Sequence, residues 1–139
     1  MYLLFAALRF ELRHFSASLI WADILHVVFL GFAKDFVGSV IVGMSQASHW
    51  GRGTSAYNRL KLAGYSFKVW CQSEKRHTSL GAMNRKVLKW TSRAFFPNIM
   101  AKGSDVKLLL SWQQVESLTF IDHPMAENIQ AACFCLCQS

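Results

Sequence analysis

The stretch that divides this chain is Ser48-His49-Trp50-Gly51-Arg52-Gly53-Thr54-Ser55-Ala56, which is rich in glycine and small polar residues. This composition is typical of a loop, because such residues favour turns over helices and strands. The residues before it are mostly apolar, and those after it are strongly basic. We therefore predict an apolar helical segment at 1–48, which either associates with a membrane or belongs to the core. Residues 49–139 form a basic-to-neutral helical region that is not an independent domain.

The positive charge is concentrated directly after this loop. Residues 49–93 contain ten Lys or Arg and one acid, Glu74, and so carry +9. Residues 1–48 are neutral and 94–139 carry −2, which gives the net charge of +7. Such a block attracts anionic lipid, nucleic acid or an acidic protein. It can equally be a solvated face. Because only 17% of the residues are charged and 53% are hydrophobic, the remaining surface has few charges to coat it.

The apolar segment contains a candidate transmembrane helix. From Phe15 to Ala33, 19 residues are almost continuously apolar, close to the roughly 20 that a bilayer span needs. Asp23 and His26 interrupt this run, and one central aspartate costs about 2.5–3.5 kcal/mol. The pair is a candidate intramembrane polar site, such as a proton or ion relay. Alternatively, it marks the segment as a buried core helix or as a hairpin in the membrane interface.

Further along the chain, the patterns predict a mainly α fold with one short β element. Residues 36–43 fit either a buried strand or a second short apolar helix, and the alternation over 65–71 predicts a strand. Helices are expected over 80–96, from Ser104 or Asp105 to about 121, and from 124 to about 137. Because local and global cues often disagree, we expect a weakly specified fold.

The predicted helix over 80–96 carries the candidate binding site. Arg85, Lys89 and Arg93 recur at every fourth residue with Lys86 beside them, and Trp90 lies on the opposite stripe. Basic amphipathic helices of this kind bind anionic membrane surfaces or the groove of an acidic partner such as a calmodulin-like protein. The alternative is an ordinary helix packed on its own core.

Nucleic acid is a further candidate partner of the basic block. Phosphate contacts from its cations could combine with base stacking on its aromatic residues. Those aromatic residues are Trp50, Tyr57, Tyr65, Phe67, Trp70 and Trp90. They could instead form the core, and the chain lacks the sequence patterns of common nucleic-acid-binding folds.

Two patterns suggest a metal or a cofactor, but neither is complete. Cys133, Cys135 and Cys137 could bind a soft metal or be acylated, yet Cys135 would face away from the other two on a helix. Gly51 to Ala56 fits Gly-x-Gly-x-x-Ala, and residues 58–70 resemble the helix-to-second-strand part of nicotinamide-dependent hydroxyacid dehydrogenases, which would imply a dinucleotide site. Because the glycines and the strand cannot be aligned together, we predict no cofactor. Because Cys135 would face away from Cys133 and Cys137, we also predict no metal.

From the sequence we expect a small membrane-associated interaction protein without catalytic activity, with its basic region in the cytoplasm. No acid, base and nucleophile come together in a convincing spacing, and no small-molecule substrate is evident. The first alternative is a small soluble basic protein of the cytoplasm or nucleus that binds nucleic acid or an acidic partner. The second is an open reading frame with no defined molecular function.

Overall fold

A computed structural model describes residues 30–92, 96–120 and 123–137 of the chain. These ranges contain four α-helices and no strand, so the predicted mainly α fold is confirmed. The helices are α1 (Ala33–Gln46), α2 (Ala56–Ser73), α3 (Gly103–Leu118) and α4 (Ala126–Cys137).

Helix α3 lies at the centre of the core. It contacts each of the other three helices, most extensively α4, and α1 also packs against α2. Its buried side chains include Leu109, Leu110 and Trp112, which point in different directions around the helix axis. A helix that is buried on several sides is typical of the middle of a bundle. Residues 33–46 therefore share one core with the rest of the described chain.

The two C-terminal helices were predicted from the sequence, and the structure contains both. Helix α3 begins after Lys102 and ends at Leu118, slightly earlier at both ends than predicted. The segment 36–43 lies within α1, which agrees with the helical alternative.

The predicted strand over 65–71 is wrong, because these residues belong to α2. Leu60, Ala63, Phe67 and Cys71 are buried and recur at intervals of three or four residues, which is the helical period. The hydroxyl of Ser55 accepts a hydrogen bond from the backbone N–H of Asn58 at 3.3 Å and caps the helix. Apolar and polar residues alternate after Gly64, as in a strand. The buried positions nevertheless continue across this glycine with the helical period.

The predicted helix over 80–96 is also wrong for the residues that are described. Residues 74–92 and 96–102 connect α2 to α3 without a long helix, and residues 93–95 lie outside the described ranges. A helix that began at residue 80 would have Ser79 at its N-cap position. The Ser79 hydroxyl instead donates to Asp105 Oδ2 at 2.6 Å, and its backbone N–H donates to Asp105 Oδ1 at 3.0 Å. This contact ties the chain to α3 at the point where the predicted helix would have begun.

Two close approaches fix the connection on the helices. At Gly64 of α2, an added Cβ would lie 3.0 Å from the Cβ of Met83. At Gly38 of α1, an added Cβ would lie 2.8 Å from the carbonyl oxygen of Pro97. The connection is much longer than roughly 12–15 residues. Unstructured loops above that length are uncommon and are often functional.

The predicted transmembrane helix needs correction. Across 30–92, 96–120 and 123–137, no helix is both long enough and apolar enough to cross a membrane. Helix α1 has 14 residues, with Lys34 and Asp35 in its first turn, which is short of the roughly 20 that a span requires. The predicted apolar helix at the N-terminus lies outside the described residues. So do the candidate span over 15–33, except for its last four residues, and the pair Asp23 and His26.

Candidate polyanion-binding clefts

A single helical turn replaces the predicted basic helix. Asn84 Oδ1 accepts a hydrogen bond from the backbone N–H of Val87 at 3.0 Å and caps the start of the turn. The turn ends where the N–H of Trp90 bonds to the carbonyl of Arg85 at 2.9 Å, and that of Lys89 to Lys86 at 3.1 Å. This pair of bonds is a Schellman motif, and Lys89 takes the left-handed conformation that it requires, with φ of 46°.

The turn brings together four of the five residues that were predicted to bind a partner. Arg85, Lys86, Lys89 and Trp90 line one cleft of about 640 Å³, which we call the loop cleft. They meet there through a tight turn, and not through the face of a helix. The fifth residue, Arg93, lies outside the described ranges.

Aromatic rings stand beside the cations of the loop cleft. The guanidinium carbon of Arg85 lies 4.7 Å from the centre of the Trp90 ring, which is a cation–π contact. Phe96 lines the same cleft and is 87% exposed. A phenylalanine with so little of its surface buried adds little to folding, so its ring is available to a ligand.

The backbone beneath the loop cleft is pinned at several points. The N–H of Asn98 bonds to the carbonyl of Leu88 at 3.0 Å, and that of Met100 to Val87 at 2.7 Å. The Asn98 side chain donates to Asp35 of α1 at 2.6 Å. The cleft is therefore built on the helical core, although its lining residues belong to the long connection.

A second basic cleft lies where α2 ends and α3 begins, and the sequence analysis did not identify it. This helix-end cleft has a volume of about 750 Å³ and is lined by Trp70, Lys75, Arg76, His77 and Lys107, among others. Trp70 stacks on buried Phe67 with ring centres 6.4 Å apart, which fixes the indole in the cleft wall. The sequence does show the basic run Lys75-Arg76-His77. It does not show that α3 packs beside this run and completes the cleft.

A middle cleft of about 520 Å³ adjoins the loop cleft. The two clefts share Lys89 and Asn98, and the middle cleft adds Lys34 and Lys102 to the cationic lining. Cations are therefore spread over three neighbouring clefts.

Asp105 is a carboxylate within this basic region, and internal hydrogen bonds satisfy it. It is 2% exposed and accepts from the hydroxyls of Thr78 and Ser79 and from the Ser79 N–H. Burial alone would raise its pKa. The bonds from Ser79 and Thr78, with the charge of Lys102, outweigh burial and lower the pKa below its ordinary value. Asp105 therefore acts as an anchor for the connection.

Glu116 of α3 forms a second polar network, which is partly buried. Its Oε1 accepts from Trp50 Nε1 at 2.8 Å and lies 3.2 Å from His49 Nε2, and its Oε2 accepts from the Ser66 hydroxyl at 3.1 Å. Burial raises the pKa of Glu116, but the hydrogen bonds from His49, Trp50 and Ser66 outweigh it and lower the pKa. The network ties the α1–α2 loop and α2 to α3, and both carboxylate oxygens are used in doing so.

The candidate metal and cofactor patterns do not assemble into sites. Burial, with the nearby Cys137, raises the pKa of Cys133 to about 12, so its thiol is protonated near neutral pH. Among the residues that are described, no group of three or more His, Cys, Asp or Glu side chains is placed to hold a metal ion. A dinucleotide site would need a strand after residue 64, but these residues belong to helix α2.

No family model, curated protein or solved structure matches this chain.

Proposed function

We propose that this protein is a non-catalytic binding module whose ligand is single-stranded nucleic acid, held in the loop cleft. The observation that carries the proposal is the juxtaposition of cations with aromatic rings in one cleft. Arg85, Lys86 and Lys89 contact phosphates. Phe96 presents a ring face to a base, and Trp90, with Arg85 over its ring, stands beside it. Proteins that bind single strands without sequence preference combine these two features.

Two further features support nucleic acid over an acidic polypeptide as the ligand. Phe96 is 87% exposed beside the cations, and stacking of a base on such a ring contributes about 1–3 kcal/mol. Arg85 lies over the Trp90 ring, and an arginine guanidinium stacks on planar groups as well as pairing with phosphate. An acidic peptide needs the cations but gains little from exposed flat rings.

The proposal is tested by fluorescence anisotropy of a labelled single-stranded oligonucleotide, with Phe96→Ala as the key variant. We expect affinity to fall about 5- to 150-fold, which corresponds to the loss of one stacking contact of about 1–3 kcal/mol. Phe134→Ala is the matched control, because Phe134 is a half-exposed phenylalanine on α4 outside the loop cleft. DNA and RNA strands should bind alike, since phosphates and base faces are common to both.

A competition experiment separates the two kinds of ligand. We expect an unlabelled oligonucleotide to displace the labelled strand at much lower concentration than polyglutamate of equal charge. Equal displacement by polyglutamate, with Phe96→Ala binding like the wild type, would instead identify an acidic polypeptide as the ligand.

A further inference from the structure

We infer that one single strand occupies all three clefts, so that the helix-end cleft is a second binding site for the strand held in the loop cleft. This inference rests on the proposed function and extends it from one contact site to a path. It predicts a ligand several nucleotides long, because a short strand would reach only one of the clefts.

The first step is the continuity of the loop and middle clefts. Lys89 and Asn98 belong to the lining of both. The two clefts therefore adjoin at these side chains, and a backbone leaving Phe96 and Trp90 reaches the middle cleft past Lys89 and Asn98. Lys34 and Lys102 lie in that cleft and supply the next phosphate contacts, while Asp105 also lines it, with its carboxylate bonded to Thr78 and Ser79.

The second step joins the middle cleft to the helix-end cleft. Ser79 lines the first and His77 the second, only two residues apart. Likewise, Lys102 lines the middle cleft, and Ser104, two residues later, lines the helix-end cleft. The hydrogen bonds from Thr78 and Ser79 to Asp105 hold these two parts of the chain side by side, so the two clefts are neighbours in space.

The chemistry of the helix-end cleft matches that of the loop cleft. Lys75 and Arg76 are exposed cations in its lining, and Trp70 offers an aromatic ring. Glu74 also lines this cleft and opposes a phosphate there. The path therefore has aromatic rings at both ends and lysines between them, as expected for a groove that follows a nucleic-acid backbone.

The test compares strands of about four and about twelve nucleotides, a range that spans common site sizes. The variant is Lys75→Ala with Arg76→Ala, and the control is Lys61→Ala with Lys68→Ala. Lys61 and Lys68 are exposed on α2 and do not line the three clefts. The melting temperatures should stay near that of the wild type, because all four side chains are exposed.

We expect the helix-end variant to weaken binding of the long strand and to leave the short strand unaffected. Plotted as log affinity against log salt, its slope for the long strand should fall by about 1.4, since each phosphate contact to a single strand contributes about 0.7. The control should keep the slope of the wild type.

The outcomes separate the inference from the proposed function. If Lys86→Ala with Lys89→Ala weakens both strands while the helix-end variant changes neither, the loop cleft binds alone and the inference is wrong. If the wild type binds neither strand, the proposed function fails, and the inference fails with it.

Discussion

Three residues with side chains adopt a left-handed backbone in the described chain, and each ends a helical turn. They are Ser48, Lys75 and Lys89, with φ of 62°, 52° and 46°. At each one the hydrogen bonds are those of a Schellman motif, for example Arg76 N–H to the carbonyl of Cys71 at 2.8 Å. Glycine is the usual residue here, because a Cβ costs about 1–2 kcal/mol in this conformation. Two of the three positions carry a lysine that lines a basic cleft.

We predict that Ser48→Gly, Lys75→Gly and Lys89→Gly each raise the free energy of unfolding, by up to about 1 kcal/mol after the added entropy of the unfolded chain is subtracted. Only the two lysine variants should weaken binding of a long oligonucleotide, since Ser48 lines none of the three clefts. Denaturant unfolding and anisotropy measure the two effects separately. Unchanged binding in both lysine variants would show that the lysines serve no ligand.

Asp105 makes the stability of the protein depend on pH in the acid range. Its pKa is lowered in the folded protein from an ordinary value of 3.8, so its contribution is complete above that value. It is lost as pH falls through the lower, folded pKa.

We predict that Asp105→Asn lowers the free energy of unfolding at pH 7 by about 1–3 kcal/mol, because hydrogen-bond donors of Thr78 and Ser79 lose their charged acceptor. The difference between variant and wild type should shrink below about pH 4, where the carboxylate begins to be protonated. Denaturant unfolding over a pH series measures it. A difference that stays constant down to pH 2 would contradict this role for Asp105.

At the scale of elements, the packing of α1 requires a glycine at position 38 but not at position 43. An added Cβ at Gly38 would lie 2.8 Å from the backbone oxygen of Pro97, whereas at Gly43 the nearest atom is the flexible end of Met125 at 3.8 Å. Both glycines lie within the same helix.

We predict opposite effects of Gly38→Ala and Gly43→Ala on the free energy of unfolding. Gly38→Ala should lower it by about 1–3 kcal/mol through overpacking against backbone. Gly43→Ala should raise it by up to about 1 kcal/mol through helix propensity. Urea unfolding of both variants tests this, and a stabilised Gly38→Ala would mean that α1 and the segment around Pro97 do not pack as described.

The elements that the sequence predicted well are those whose signals are local. The cap signal at Ser104 or Asp105 and the helix break at Pro124 predicted α3 and α4 without knowledge of the fold. The connection between α2 and α3 could not be predicted, because the contact of Ser79 with Asp105, 26 residues away, decides its conformation. The charge pattern of the basic block did single out Arg85, Lys86, Lys89 and Trp90, which line the loop cleft. The helix-end cleft was missed because it exists only where the ends of two helices meet.

At the scale of the whole molecule, charge and core come from the same segments but lie on different sides of them. Residues 49–93 carry +9, largely on α2 and on the long connection, and the same residues contribute buried side chains such as Phe67 and Leu88 to the core around α3. A surface charge of this size attracts polyanions over a Debye length and is screened by salt. Position within the clefts, and not charge alone, therefore has to account for any specific binding.

The most direct test of this account compares two variants that lose the same charge in different places. Lys86→Ala with Lys89→Ala removes two lysines from the loop cleft, and Lys61→Ala with Lys68→Ala removes two from the exposed face of α2. In anisotropy titrations of a labelled single strand at physiological salt, the first variant should lose tenfold or more in affinity and the second less than threefold. Equal losses in the two variants, or no binding by the wild type, would contradict a nucleic-acid site in the loop cleft.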